Sequence, residues 1–151
     1  MAATSAGLLL FRRTAAGAEV LLVHPGGPLW ARKDAGAWSI PKGEIAPGEA
    51  PLAAAIREVN EELGLTVAGD FMALEPRRQA GGKVVHVWAV EADFDPAGLV
   101  SNTFEMEWPP RSGRRRAFPE VDRAAWFTLD QARAKINPGQ AGFLDELQSR
   151  L

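Results

Sequence analysis

Three glutamates crowd one short stretch of the chain, Glu58, Glu61 and Glu62. Carboxylates are hard oxygen ligands and proton acceptors, so a cluster of them suits a divalent cation, general-base chemistry or plain solvation. On a helix advancing roughly 100° per residue, Glu58 and Glu62 stand about 40° apart and Glu61 about 60° to the other side. All three share one face. Like charges at these spacings repel, each pair costing roughly 0.2–0.5 kcal/mol on an exposed helix. The face is therefore either diluted by water and nearby cations, which is the commoner origin of such a run, or held for a multivalent ion.

The element that must carry these acids runs from a Gly/Pro loop into a helix starting near Pro51 and stopping at Gly64. Leu52, Ile56, Val59 and Leu63 fall within an arc of roughly 60° well away from the acidic face and are expected to anchor the helix to a core. Upstream, residues 5–12 and 19–23 read as a strand hairpin with its turn at 15–18, and residues 24–37 as a surface loop rich in Gly and Pro. Trp38–Ile40 is a short extended piece before Pro41. Downstream, 66–67 and 71–74 are short strand candidates, and 83–90 is the strongest strand by its β-branched and aromatic content, placed centrally. Residues 103–108 alternate apolar and acidic side chains as a half-wet strand does, 109–119 read as a loop, and 125–127 as a brief strand. Thr128 is the expected N-cap of a helix over 129–136, and a last helix follows over 141–151. Helices interspersed among such strands predict a sheet covered on both faces.

The 151 residues fit one domain spanning 1–151, and 46% hydrophobic with 24% charged residues and a net charge of −2 is ordinary globular composition. No electrostatic preference for nucleic acid follows. The apolar run from Gly7 to Phe11 is too short for a membrane span and lacks a signal-peptide pattern, so a cytoplasmic protein without a membrane partner is expected. With no cysteine, disulfides, thiolate metal sites and a cysteine nucleophile are excluded.

Gly43, Glu49, Arg57, Glu58, Val59, Glu61, Glu62, Gly64 and Leu65 occur at the offsets of the Nudix box, and the stretch resembles that motif at every defined position. The resemblance covers residues 43–65, and the hairpin before and the strand and helix after are also similar to a small Nudix hydrolase. It implies an α/β/α sandwich with a mixed β-sheet, hydrolysis of a nucleoside diphosphate linked to another moiety, and dependence on Mg²⁺ or Mn²⁺. The chemistry agrees: water attacks a polyanionic pyrophosphate poorly unless charge is neutralised and the nucleophile activated. Glu58 and Glu62, one turn apart, are the expected main metal ligands, and Glu61 is assigned as base, touching metal as well. Arg57 and Glu49 are similar to the family's arginine and loop glutamate, which pair to hold the loop against the helix. A backbone carbonyl near Gly43 is a further candidate ligand. Lys42 is a candidate contact for a substrate phosphate, with an ordinary exposed lysine as the alternative. Glu120 resembles the downstream acid used by some members, against the commoner reading of a solvated loop residue.

The remaining candidates have bland readings. His86 and Trp88 share one face of their strand, and a strand histidine is more often structural than catalytic. Trp30 and Trp38 are more often packing residues than base-stacking platforms. Arg111, Arg114, Arg115 and Arg116 are expected to be solvated unless their loop folds toward the metal. The segment WSIPKG before the box resembles Nudix enzymes acting on dinucleoside polyphosphates or diphosphoinositol polyphosphates. The dinucleoside branch typically has a tyrosine sixteen to eighteen residues beyond the box, and this chain has no tyrosine at all. The ADP-ribose branch's proline is replaced by Gln79. The substrate expected is therefore a small phosphoanhydride, leaning to a dinucleoside polyphosphate or (d)NTP. Diphosphoinositol polyphosphate and ADP-ribose types are alternatives, and a non-catalytic nucleotide-binding module is the reading from another class. The oligomeric state is left open, with a homodimer among the options.

Overall fold

A computed structural model of the chain describes residues 4–151. Strands β1 (Thr4–Thr14) and β2 (Gly17–Pro25) form the expected antiparallel hairpin. A short strand β3 (Lys42–Glu44) leads to helix α1 (Pro51–Leu63). Then come β4 (Met72–Ala73), β5 (Arg77–Arg78), β6 (Val84–Glu91), the hairpin β7 (Thr103–Glu107) and β8 (Arg115–Pro119), and β9 (Val121–Thr128). Helices α2 (Leu129–Lys135) and α3 (Ala141–Arg150) finish the chain. The main sheet runs β4-β6-β1-β2-β9, with β3 attached to β1 and β5 to β6, while β7 and β8 form a separate ribbon.

The sheet is mixed because β1 pairs parallel with β6 and antiparallel with β2 and β3. Alternation along β1 explains why its segment Ala6–Phe11 is apolar on both faces. Leu9 and Phe11 join Phe143, Leu144 and Leu147 of α3 in one core, whereas Ala6, Leu8 and Leu10 join Val59 and Leu63 of α1 in the other. Helices thus cover both faces, and the α/β/α sandwich is observed. Thr128 caps α2 with a reciprocal pair, its side chain accepting from Gln131 N–H while Gln131 accepts from Thr128 N–H. Among the described residues no helix is long and apolar enough to cross a membrane.

Several sequence expectations need correction. Leu52, Ile56, Val59 and Leu63 do pack on the core, the first two only half-buried, and the fully buried Ala54 and Ala55, not expected there, seat the helix with them. Side chains ending at Cβ let α1 lie close to β1, a role that a search for large apolar residues overlooks. Residues 66–67 form no strand, because Val67 packs on the α1 core outside the ladder. The candidate at 71–74 shrinks to Met72–Ala73. The loop read over 109–119 turns back as β8 to pair with β7, and the strand read at 125–127 begins at Val121. Strand β3 was not expected; its Lys42, Gly43 and Glu44 pair with Gly7, Ala6 and Ser5.

Candidate active site

α1 ends at Gly64, which is left-handed and donates its N–H to the Asn60 carbonyl at 2.8 Å, as the sequence suggested. The loop before the helix is pinned by Arg57. Its Nε and Nη2 donate to the two Glu49 oxygens at 2.8 and 2.9 Å, and Nη2 also reaches the Glu44 carbonyl at 3.1 Å. The Glu49 carboxylate accepts Ala46 N–H as well. Hydrogen bonding from Arg57, then from Ala46, holds its pKa down at about 2. This fork-to-fork pair ties β3, loop and helix together, and so sets where Gly43 stands relative to the acids.

Gly43 lies directly against Glu58. A Cβ at this position would overlap the Glu58 carboxyl group, so only glycine lets β3 and α1 approach this closely. Arg57 Nη1 donates to Glu58 at 3.0 Å and to both Glu61 oxygens at 3.1 and 3.2 Å. Glu62 has no such partner: its Oε2 is buried and accepts no hydrogen bond. Burial, reinforced by the charge of Glu58, pushes its pKa up to about 8. Burial raises Glu58 too, opposed by Arg57. Lys42 is half-buried beside the same cleft as Glu62, and its pKa is lowered by burial first and by the nearby Lys83 second.

Lys42, Gly43, Glu44, Glu58, Glu61, Glu62, Asn102, Thr103 and Glu120 line one cleft of about 480 Å³. The structure therefore brings Lys42, Gly43 and all three helix glutamates to a single opening, and adds Glu120. Glu120 is exposed, as a solvated loop acid would be, but it faces this cleft and contributes to raising Glu62. Asn102 explains how: its N–H donates to the Glu61 carbonyl at 2.9 Å and its carbonyl accepts Glu120 N–H at 2.8 Å. Sequence reading missed Asn102 because it works through its backbone, which leaves no compositional signal. Glu49 and Arg57 stand behind the cleft wall, outside its lining.

A divalent cation fits this donor set. A buried carboxylate oxygen without a partner is costly unless the group is protonated or meets a cation, and Glu62 Oε2 is such an atom. Glu58, Glu62, Glu120 and the Gly43 carbonyl offer only oxygen, the ligand type that Mg²⁺ and Mn²⁺ prefer. Among the described residues no three His, Cys, Asp or Glu side chains are gathered around one point, and Arg57 is bonded to Glu58 and Glu61. The other candidates lie elsewhere. His86 does not line the cleft, and Trp38 is buried edge-on between His24 and Phe127, with ring centroids 5.2 and 5.0 Å away. The arginines from Arg111 to Arg116 lie at the far end of the β7–β8 ribbon and line none of it.

An α/β/α sandwich with a carboxylate helix opening onto an oxygen-lined cleft has the architecture of a phosphoanhydride hydrolase. The chain belongs to the Nudix family: the family model described as the NUDIX domain matches residues 1–147. It is a pyrophosphohydrolase of that family, whose hydrolases generally work with divalent metals. Its fold is similar to a C. elegans Ap4A hydrolase in a binary complex, at 22% identity over 97% of this chain and 96% of that one, with a TM-score of 0.68. It is also similar to the Nudix hydrolase RenU of M. smegmatis (24% identity, 98% and 84% covered, TM-score 0.60). A third similar fold is the NUDIX domain of Shewanella oneidensis NrtR complexed with ADP ribose (14% identity, 99% and 88% covered, TM-score 0.66).

Proposed function

We propose that this protein, acting as a single domain in the cytoplasm, hydrolyses a pyrophosphate bond in a small nucleotide. The substrate class is a nucleoside diphosphate carrying a further group, with a dinucleoside polyphosphate or (d)NTP favoured. The observation that carries this reading is the buried, unpartnered Glu62 oxygen beside Glu58 in a cleft that also presents Lys42. Support for the substrate comes from the end-to-end fold likeness to the Ap4A hydrolase and from the WSIPKG segment. The ADP-ribose complex of the NrtR domain supports the alternative, an ADP-ribose-type substrate, less strongly because identity is only 14%.

Glu58, Glu62 and the Gly43 carbonyl would hold Mg²⁺ or Mn²⁺, with Glu120 at hand across the cleft. A bound divalent ion neutralises phosphate charge and lowers the pKa of water. Glu61 takes the proton from the attacking water as its oxygen bonds to phosphorus and the P–O bond to the bridging oxygen breaks. Arg57, already on both Glu61 oxygens, orients that carboxylate. Arg57 and Glu49 also keep the loop against α1, and Lys42, kept from bulk water, attracts a phosphate oxygen of the substrate.

The test is product release from diadenosine tetraphosphate, dNTPs, ADP-ribose and diphosphoinositol pentakisphosphate, with and without Mg²⁺. Glu61→Gln should lower kcat by on the order of 10²–10⁴-fold while calorimetry still registers metal binding. A near-normal kcat in that variant removes Glu61 from the base role. No turnover of any substrate, with nucleotide binding intact, would make the chain a binding module instead.

A further inference from the structure

Beside the acidic cleft lies a second one of different character, about 320 Å³, lined by Pro25, Gly26, Gly27, Leu29, Trp30, Phe104, Met106 and Glu120. Leu29 and Trp30 are 61% and 40% exposed, two of the four large apolar side chains left open to solvent among the described residues. Glu120 borders both clefts, so a ligand held here continues into the acids. We propose that this cleft binds the nucleobase of the substrate, with Trp30 and Phe104 as the stacking residues. The proposal deepens the pyrophosphohydrolase reading and rests on it for the identity of the attached phosphates.

The cleft is built rather than incidental. Gly26 N–H donates to the Glu120 carbonyl at 3.0 Å, locking the Trp30 loop to the junction of β8 and β9. Gly27 has φ 95°, and a Cβ there would come within 2.9 Å of Phe104 Cζ, so the ring keeps its place only above a glycine. Phe118 backs Phe104 from the facing strand, with centroids 6.1 Å apart. The root of the loop is anchored by the fully buried His24, whose Nδ1 lies 2.8 Å from Asp122 and whose Nε2 lies 2.6 Å from the Lys33 carbonyl. Lys33 in turn stands 5.0 Å over the Trp30 ring. A planar heterocycle suits a cleft lined by two aromatic rings together with the apolar Leu29 and Met106. Trp30 also borders a neighbouring cleft with Lys42, Gln79 and Lys83, but Phe104 and Met106 line only the first. Trp30 and Phe104 are the two aromatic side chains that line this cleft.

The first test is saturation-transfer NMR with adenosine, an uncharged probe, and metal-free protein. Saturation of the base protons is expected in the wild type, and a loss of at least half of it in Trp30→Ala and in Phe104→Ala. Trp30→Phe should restore it. The second is turnover of diadenosine tetraphosphate, where each alanine variant should raise KM about five- to a hundredfold, in line with the loss of one base–aromatic stack, and by a larger factor than it lowers kcat. Base saturation that is missing in the wild type, or equal in all variants, overturns the proposal. Saturation that behaves as expected in a wild type with no hydrolytic activity would sink the hydrolase reading and leave this cleft standing.

Discussion

Glu62 should make the metal-free protein lose stability as the solution becomes more alkaline. Burial raises its pKa from 4.5 to about 8 in the folded state, whereas in the unfolded chain it titrates near ~4.3. Between these values the folded state binds the extra proton, so stability is greatest below ~4.5, declines through the window, and flattens above about 8. At ~1.4 kcal/mol per pKa unit the difference is on the order of 3–5 kcal/mol, or roughly 10 °C in Tm for a chain of this size. The assay is thermal and urea unfolding in EDTA at pH 5 and pH 8, on the wild type and on Glu62→Gln. The variant cannot ionise at this position, so the difference between its pH slope and that of the wild type reports Glu62 together with its charge coupling to Glu58, Lys42 and Glu120. Glu62→Gln should be the more stable protein at pH 8, and saturating Mg²⁺ should recover most of the wild-type deficit. Equal slopes in EDTA for the two proteins would refute the assignment of Glu62 as the desolvated carboxyl at this site.

Glu49 should act in the opposite direction. Its pKa is held at about 2, chiefly by Arg57, so its contribution is present above ~4.3 and lost as pH falls through about 2; Glu49→Gln should therefore match the wild type in the most acidic samples and be less stable at pH 6, as followed by circular dichroism. Gly43→Ala forces the Glu58 carboxyl aside and should cut kcat roughly 10²-fold, the scale expected for a misplacement of about 1 Å, with the circular dichroism spectrum preserved. Phe143→Ala empties a fully buried site between α3 and the sheet and should cost about 3–5 kcal/mol in urea unfolding. Thr128→Ala, which removes one half of the reciprocal cap on α2, should cost about 1 kcal/mol.

Residues 43–65 were legible because their constraints are local and chemical. A helix face follows from spacing alone, Gly64 from the need for a left-handed terminus, and the pairing of Arg57 with Glu49 from the family motif. The hairpin of β1 and β2 was legible for a similar reason, two apolar runs around a turn. What escaped depends on tertiary partners. Ala54 and Ala55 look neutral in a sequence until β1 is placed beneath them. β8 carries Arg115 and Arg116 and reads as loop, because its strand conformation comes from pairing with β7 rather than from its own residues. Lys42 and Gly43 have weak strand propensity and become β3 through their bonds to β1. Glu120 is exposed wherever it sits, so burial cannot single it out. Its approach to Glu62 is set by the backbone of Asn102, a residue with no signature.

The parallel pairing of β1 with β6 has a consequence for biosynthesis. β1 is central to the sheet, yet its long partner, Val84–Glu91, leaves the ribosome only after the whole of α1 has been made. At 5–20 residues per second, the emerging chain spends on the order of several seconds with the β1–β2 hairpin and the acidic helix exposed and one edge of β1 unpaired. Parallel, non-local strand pairing is also slow to form. Glu58, Glu61 and Glu62 reach their mutual spacing as α1 forms, whereas Glu120, which follows β6 in the chain, can join their cleft only later.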